Sequence, residues 1–189
     1  MVIVPPRPVG AYLRARLSSN VRRHQIRPPR LPSPDCDTCD FDNSQSLNMA
    51  SIWKQPVSVE TLTRIHEGTA PEHLGMEFLE VGEDFIRARI PVDARTRQPY
   101  GILHGGVSVV LAETLGSCGA AYAAPPGHRA VGLDINANHI RSVNAGWVTG
   151  TARPVHVGRT TQVWQIELTN EQGQVTCVSR LTMAVLAPA

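Results

Sequence analysis

The sequence lacks the short motifs that mark several common enzyme classes. No phosphate-binding glycine loop of the GxxxxGK or GxGxxG type occurs, so nucleoside triphosphate and dinucleotide chemistry have no support. Neither HExxH nor any other zinc pattern is present. Residues 49–189 hold 11 basic and 12 acidic side chains, a formal charge of −1. They lack the excess of positive charge that is typical of a domain that binds nucleic acid. We therefore predict no bound metal and no nucleic-acid partner.

The first 34 residues contain no acidic side chain. Residues 1–48 hold seven Arg and four Asp, a formal charge of +3, and seven of the 15 prolines lie between Pro5 and Pro34. Their apolar residues follow neither a helical nor a strand-like period. We predict a disordered extension over residues 1–48 and a folded domain over residues 49–189. The prolines argue against a transit-peptide helix, no secretory apolar segment occurs, and Met49 is a plausible native start.

Cysteine is scarce, with four residues in the chain. Cys36 and Cys39 form a CxxC among acidic residues, but no second pair at zinc spacing exists. Acidic neighbours raise a thiol pKa, so we predict no redox role for this pair. Cys118 and Cys177 lie in apolar segments and are predicted to be reduced core residues.

No run is predicted to span a bilayer, because residues 105–126 contain four glycines, two prolines and Glu113. These features predict a cytoplasmic protein.

Periodicity in the second part of the chain predicts an α+β fold. Ser58 opens a short helix that extends to Glu67, and a long apolar helix runs from about Gly106 to Ala124, where prolines end it. A single apolar helix followed by a meander of strands indicates an antiparallel sheet wrapped around that helix. The predicted strands are Met76–Val81, Phe85–Pro91, Ala130–Ile140, Trp147–His156, Thr160–Asn170 and Val175–Leu186.

Glu113 is the one charged residue between Gly105 and Pro126. A carboxylate in a buried helix has a raised pKa unless it is partnered, and many catalytic carboxylates arise in this way. The alternative is a structural Glu that bonds a helix N-terminus or a buried Arg. Around it lie the Gly105 and Gly106 amides at the helix start, which could bind an oxyanion. Gln98, His104 and Ser117 are the other polar groups within 20 residues.

This constellation suits acyl transfer to water, which needs an electrophile clamp together with a nucleophile or a base. Alternatively, these residues have structural roles only: His104 hydrogen-bonds a loop to the sheet, and the two glycines form a tight turn. Arg141 and Arg159 stand alone at predicted strand ends, and a guanidinium matches phosphate with a planar fork. A solvated surface arginine is the ordinary alternative for each.

The segment QPYGILHGGVSVVLAETLGS resembles the signature of the hotdog-fold acyl-CoA thioesterases of the PaaI-like superfamily. The resemblance is strongest to the branch of 1,4-dihydroxy-2-naphthoyl-CoA thioesterase and the proofreading thioesterase of enterobactin synthesis. It runs from about Ile52 to Leu186 and includes VGLDINANHIRS and PVHVGRTTQVWQIEL. It implies a hotdog fold, an antiparallel sheet around a long central helix. It also implies hydrolysis of acyl-CoA, with aromatic acyl groups preferred.

The resemblance assigns roles to particular residues. It makes Glu113 a buried nucleophile or general base, and it gives the Gly105 amide the task of polarising the thioester carbonyl. Gln98 and His104 become accessory groups, and Ser117 helps to place water or substrate. The implied CoA contacts are His139, Arg141, Ser142, His156, Gly158, Arg159 and Thr161.

Other implications concern partners and rival functions. CoA belongs to the substrate, so no separate cofactor is expected, and a carrier-protein thioester is a second substrate form. Sites are expected across a dimer interface, in a homodimer or a homotetramer, with no membrane partner. The rivals are a hotdog hydratase or dehydratase and a non-catalytic protein that binds acyl-CoA. The small residues after Glu113 are expected to line an acyl pocket with room for a flat ring; they are Gly116, Ser117, Cys118, Gly119 and Ala120. Cys118 beside Ser117 leaves the identity of the acyl group open.

Overall fold

The structure is a computed structural model that describes residues 51–188. The predicted disordered extension and the Cys36–Cys39 pair therefore lie outside the described residues. Within the described part, the element order confirms the α+β prediction. Three helices and six strands are present, and their bounds differ from the predicted ones by one or two residues at most positions.

The helices form where local capping and composition favour them. Helix α1 spans Val59–Ile65, and the Ser58 hydroxyl accepts a hydrogen bond from the Thr61 N–H at its start. Helix α2, Ala70–His73, is a single turn that the sequence pattern did not reveal. Helix α3 spans Gly105–Ala123, and Ala124 and two prolines follow it.

The strands form one antiparallel sheet in the order β1-β2-β4-β5-β6-β3. Phe85, Arg87 and Arg89 alternate with the buried residues Ile86, Ala88 and Ile90, as a half-buried strand requires. Gly173, at φ 72°, closes the predicted hairpin between β5 and β6. The strand bounds are β1 Glu77–Val81, β2 Ile86–Pro91, β3 Arg129–His139, β4 Trp147–Val157, β5 Thr161–Asn170 and β6 Val175–Leu186.

Helix α3 packs on one face of this sheet, and two glycines let it approach closely. A Cβ on Gly116 would lie 2.6 Å from Leu181 Cδ2, and one on Gly119 would lie 2.6 Å from Trp164 Cζ3. The buried Gln162 fixes the same contact, since its Nε2 donates to the Ala120 carbonyl at 3.2 Å. These glycines therefore face the core rather than an acyl pocket, contrary to our expectation that they line one.

The apolar character of α3 also corrects a prediction about membrane spans. By length and composition alone, Gly105–Ala123 qualifies as a candidate span, despite the glycines and Glu113 that argued against it. Half of the residues in the most apolar part of this helix are buried inside the fold. The buried side chains of the helix contact the sheet core, so the same composition also suits a central helix.

Strand β3 lies at one edge of the sheet and pairs with β6 alone. Its residues are mostly exposed, and they include large apolar side chains at Val131 (41% exposed) and Leu133 (64% exposed). An exposed strand edge offers a row of backbone groups for pairing, and the apolar side chains add a reason to be covered. This edge lies directly beside the candidate site.

Candidate active site

The start of α3 presents one free backbone donor. His104 is the N-cap, and its Nδ1 accepts the Gly106 N–H at 2.9 Å. The His104 carbonyl accepts the next two amides, those of Val107 and Ser108. Among the described residues, the Gly105 N–H has no acceptor. Of the two amides predicted to bind an oxyanion, only that of Gly105 is therefore available.

The loop before α3 is held by a buried threonine. Thr96 Oγ1 donates to the Pro91 carbonyl at 2.7 Å, and the Thr96 carbonyl accepts the His104 N–H at 2.8 Å. Gln98 is half-buried, and its Oε1 accepts the Tyr100 N–H at 3.2 Å. Because Oε1 is engaged in this way, the Nε2 group of Gln98 is the end that can donate to another molecule.

A cavity of about 350 Å³ opens at this helix start. His139 closes one side of it, since a Cβ on Gly105 would lie 3.0 Å from His139 Nε2. Arg141 is at the rim and donates to the Val175 carbonyl at 2.8 Å. Five predicted site residues meet here with others that the sequence did not single out. The lining comprises Gln98, Ile102, Leu103, Gly105, Ser108, His139, Ile140, Arg141, Ser142, Val143 and Thr176.

Glu113 is not buried in the described chain, which corrects the prediction of a buried carboxylate. Its side chain leaves the helix beside β3, where Glu113 Oε1 lies 3.7 Å from the position of a Cβ on Gly132. The helix period turns Glu113 away from the sheet face that Ala112 and Leu115 occupy. At that edge of the sheet, nothing in the described chain covers the carboxylate.

A second cavity, of about 530 Å³, lies along the exposed face of α3. Val110 lies at one end of it along the helix, Glu113 follows, and Ser117 and Cys118 lie about one turn beyond Glu113. Burial raises the pKa of the Cys118 thiol to about 12. The full lining is Ile65, His66, Thr69, Ala70, Pro71, Val110, Glu113, Thr114, Ser117 and Cys118.

Within one chain, Gly105 and Glu113 are far apart. Glu113 is eight positions after Gly105 on the same helix, about 12 Å along its axis at 1.5 Å per residue. Gly105 lies at the level of His139 on β3, whereas Glu113 lies at the level of Gly132. A single chain therefore holds the free Gly105 amide and the Glu113 carboxylate in two separate cavities.

The predicted CoA contacts also separate into two groups. His139 shares a row of the sheet with Cys177 and Leu168, whereas Thr161 shares a row with Ala184 and Val131. The two rows are eight positions apart along β3, from Val131 to His139, about 25 Å of strand. Arg141 and Ser142 therefore lie at one end of the sheet, and His156, Gly158, Arg159 and Thr161 lie at the other.

The second group forms a tight connection between β4 and β5. Gly158 donates its N–H to the Thr161 carbonyl at 2.9 Å. A Cβ at Gly158 would collide with the His156 ring and would lie 2.7 Å from the Thr161 carbonyl oxygen. A glycine is therefore required here for steric reasons, whatever this segment binds. Arg159 is exposed at the tip of the connection.

Sequence reasoning missed five polar residues that line the cavities. Ser108 and Thr176 line the first cavity, and His66, Thr69 and Thr114 line the second. Ser108 lies three residues after Gly105 and Thr114 lies three residues before Ser117, so helical spacing from these two candidates would have found them. His66 and Thr69 lie on the connection after α1, and Thr176 on β6, so only the tertiary fold brings them in.

Comparison with known proteins gives consistent results. The thioesterase superfamily profile matches residues 100–177. The 1,4-dihydroxy-2-naphthoyl-CoA hydrolase of Escherichia coli K12 is 47% identical over 135 residues, covering 71% of this chain and 99% of that protein. The proofreading thioesterase EntH of Cronobacter turicensis is 46% identical, covering 71% and 98%.

The solved structures agree with the sequence relatives. Thioesterase HI1161 from Haemophilus influenzae superimposes with a TM-score of 0.71 at 49% identity, covering 72% of this chain and 95% of that one. A mutant of thioesterase PA1618 from Pseudomonas aeruginosa gives a TM-score of 0.70 at 43% identity, covering 72% and 99%. The predicted hotdog fold and the predicted resemblance are both confirmed. The chain belongs to the thioesterase superfamily, and it is a thioester hydrolase.

Proposed function

We propose that this protein hydrolyses aromatic acyl-CoA thioesters, with Glu113 of one chain and the Gly105 amide of a second copy acting on the same carbonyl. The observation that carries the proposal is the separation of these two groups on α3 beside the exposed edge of β3. One carbonyl cannot contact both groups of a single chain. Two copies related by a two-fold axis remove this difficulty.

The geometry of β3 supports such a pairing. A second copy can pair antiparallel along β3, with the two-fold axis near the middle of the strand. His139 of one chain then lies opposite Gly132 of the other. Gly105 accompanies His139, and Glu113 accompanies Gly132. The pairing covers Leu133 and excludes water from Glu113. It also moves Arg159 of one chain to the end of the sheet that holds the other copy's Arg141.

The proposed reaction uses few groups. The Gly105 N–H donates to the thioester oxygen as negative charge develops there, aided by the amide of Gln98. The Glu113 carboxylate either attacks the carbonyl carbon or takes a proton from an attacking water. The C–S bond then breaks, and the thiolate leaves and is protonated. In the nucleophilic route, water then hydrolyses the acyl–Glu113 anhydride to release the acid and restore the carboxylate. His104 accepts at Nδ1, so its neutral ring carries a proton on Nε2.

CoA recognition is assigned to the two arginine-bearing ends of the sheet. His139, Arg141 and Ser142 line the cavity at Gly105, and the 156–161 connection of the other copy lies beside them in the proposed pair. Because these contacts are made in both the ground state and the transition state, Arg141→Ala or Arg159→Ala should raise KM more than it lowers kcat. Initial rates at varied CoA ester concentration measure this.

The aromatic preference rests on the second cavity and on the relatives. The E. coli relative is named as a hydrolase of a naphthoyl-CoA. The cavity runs along the helix for about one and a half turns past Glu113, a length that suits a ring rather than a long chain. We expect kcat/KM for benzoyl-, hydroxybenzoyl- or dihydroxynaphthoyl-CoA to exceed that for palmitoyl-CoA by at least about tenfold, roughly 1.4 kcal/mol. Faster hydrolysis of palmitoyl-CoA would contradict the aromatic assignment alone.

The test combines thiol release with mixed chains. Glu113→Gln should lower turnover by about 10² to 10⁴ fold, whereas Glu167→Gln, on the far side of the sheet, should not. Gly105→Pro removes the free amide. When the Glu113→Gln and Gly105→Pro chains are mixed and allowed to exchange, about a quarter of wild-type activity should return, because each mixed pair holds one intact site.

A chain with both substitutions is the matched control, because mixing it with Glu113→Gln leaves no intact site. Equal activity in the two mixtures would overturn the two-chain site. Binding of benzoyl-CoA by the wild type without thiol release would favour the non-catalytic rival instead. Single-turnover hydrolysis in ¹⁸O-water separates the two roles of Glu113. Direct water attack puts ¹⁸O into the acid released in the first turnover. An anhydride that water opens at the Glu113 carboxyl carbon instead releases unlabelled acid in that turnover and leaves ¹⁸O on Glu113.

A further inference from the structure

We propose that His66 determines specificity, with its Nε2 accepting a hydrogen bond from a hydroxyl group on the part of the acyl group far from the thioester. The inference rests on the proposed function, in which Glu113 stands beside the thioester carbonyl. His66 lines the same cavity as Glu113, together with Ser117 and Cys118. It belongs to neither of the groups assigned to catalysis or to CoA.

The orientation of the His66 ring fixes which nitrogen faces the cavity as an acceptor. Nδ1 lies 2.7 Å from the Leu62 carbonyl oxygen, which can only accept, so Nδ1 carries the proton. In the neutral ring, Nε2 then has a free lone pair. Phe78 packs against the imidazole with centroids 5.0 Å apart and planes tilted by 44°, which holds the ring in this orientation.

The protein supplies only a weak partner for that lone pair. Among the described residues, Cys118 Sγ at 3.9 Å is the one group within hydrogen-bonding range of His66 Nε2. A thiol is a weak donor, and this distance is long. A ligand hydroxyl that approaches Nε2 would form a stronger hydrogen bond than the one it replaces.

The helix spacing indicates which ligand hydroxyl reaches His66. Cys118, which contacts the His66 ring, lies five residues after Glu113, about 7.5 Å along the axis. A ring that extends from a carbonyl at Glu113 along this face places its meta or para position near His66. A hydroxyl ortho to the thioester stays beside Glu113. The apolar wall formed by Val110, Ile65 and Pro71 suits the faces of such a ring.

Four thioesters and three variants test the proposal by thiol release: benzoyl-, 2-, 3- and 4-hydroxybenzoyl-CoA, with His66→Phe, His66→Gln and His73→Phe. The wild type should prefer the 3- or 4-hydroxy ester over benzoyl-CoA. In His66→Phe this ratio of kcat/KM values should fall by about tenfold, with the 2-hydroxy ratio unaffected. His66→Gln keeps an acceptor near the Nε2 position and should recover much of the preference.

His73→Phe is the matched control. His73 also bonds a backbone carbonyl through Nδ1, at 3.0 Å from Thr69, but it lies outside the cavity lining. Its ratios should equal those of the wild type. If the ratios for all hydroxy esters are the same in wild type and His66→Phe, the assignment of His66 is wrong while the thioesterase function stands. If no ester is hydrolysed by the wild type, the proposed function fails and this inference fails with it.

Discussion

Gly105 and Gly106 are chemically alike, yet their amides have different tasks. The Gly106 N–H is engaged by the His104 ring, which stabilises the helix start. The Gly105 N–H lacks an acceptor among the described residues, at the positive end of a 19-residue helix. The missing side chain at Gly105 leaves the His139 ring close to the backbone. One backbone donor is therefore exposed to a ligand at this point.

The role of this donor can be tested without disturbing the fold. Proline fits position 105, because it is the first helical residue and His104 is extended at φ −67° and ψ 131°. Gly105→Pro deletes the N–H, adds the pyrrolidine ring, and should lower kcat by about 10² to 10³ fold. Gly105→Ala adds a similar Cβ against His139 but keeps the N–H, so it should retain most activity. Equal losses in both variants would assign the effect to crowding.

Cys118 gives the molecule a measurable response to alkaline pH. Burial raises its folded-state pKa from 9.0 to about 12, so the unfolded chain releases this proton first as pH rises. The stability that this thiol contributes is present below pH 9 and decreases from pH 9 towards pH 12, by up to about 1.4 kcal/mol per pH unit. Cys118→Ala should lose less stability than wild type between pH 9 and 10.5 in urea melts. An equal loss of unfolding free energy in the two proteins over this pH range would contradict this.

At the scale of elements, α3 has two faces with opposite demands. One face meets the sheet through Gly116 and Gly119, which have no space for a Cβ. The other carries Glu113 and Ser117 into the cavity. Small residues on both faces look alike in the sequence, and this is why we wrongly expected the two glycines to line the acyl pocket. Only the position of the sheet distinguishes the faces.

Packing of α3 against the sheet predicts that Gly119→Ala destabilises the fold, whereas helix propensity alone predicts that it stabilises the fold. Gly119→Ala gains up to about 1 kcal/mol in an exposed helix. Here the new Cβ would lie 2.6 Å from the Trp164 ring, which is fully buried and bonded to Gln162. We expect a net destabilisation of about 1–3 kcal/mol by denaturant unfolding. Thr114→Ala, on the cavity face, should change stability by less than about 0.5 kcal/mol.

The sequence predicted the elements well and the site incompletely, for a physical reason. Strand alternation and the apolar helix are local patterns, so β2 and α3 were found within a residue of their bounds. The exposure of Glu113 depends on β3 being an edge strand, and edge position is a property of the whole sheet order. His66 reaches the cavity through the fold of a connection that carries no pattern.

At the scale of the whole molecule, the residues that line the two cavities all lie within residues 65–176. The matched relatives correspond to about 71% of the chain, and their similarity covers 98–99% of their own length in two cases. We therefore predict that a chain starting at Met49 keeps its turnover and its melting temperature to within about 2 °C, a change of less than about 1 kcal/mol. A larger drop in either would show that residues 1–48 contribute to the fold.

The edge strand β3 has a consequence for production of the protein in cells. Before a newly made chain forms the proposed β3 pair, it displays unpaired backbone groups and the exposed side chains of Val131 and Leu133. Such an edge templates misassembly with other nascent chains. Substitutions that only weaken pairing along β3 should therefore lower the recovered yield of folded material before they alter the chemistry. A poorly expressed variant and an inactive one would then be different defects, separable by the fraction found in inclusion bodies.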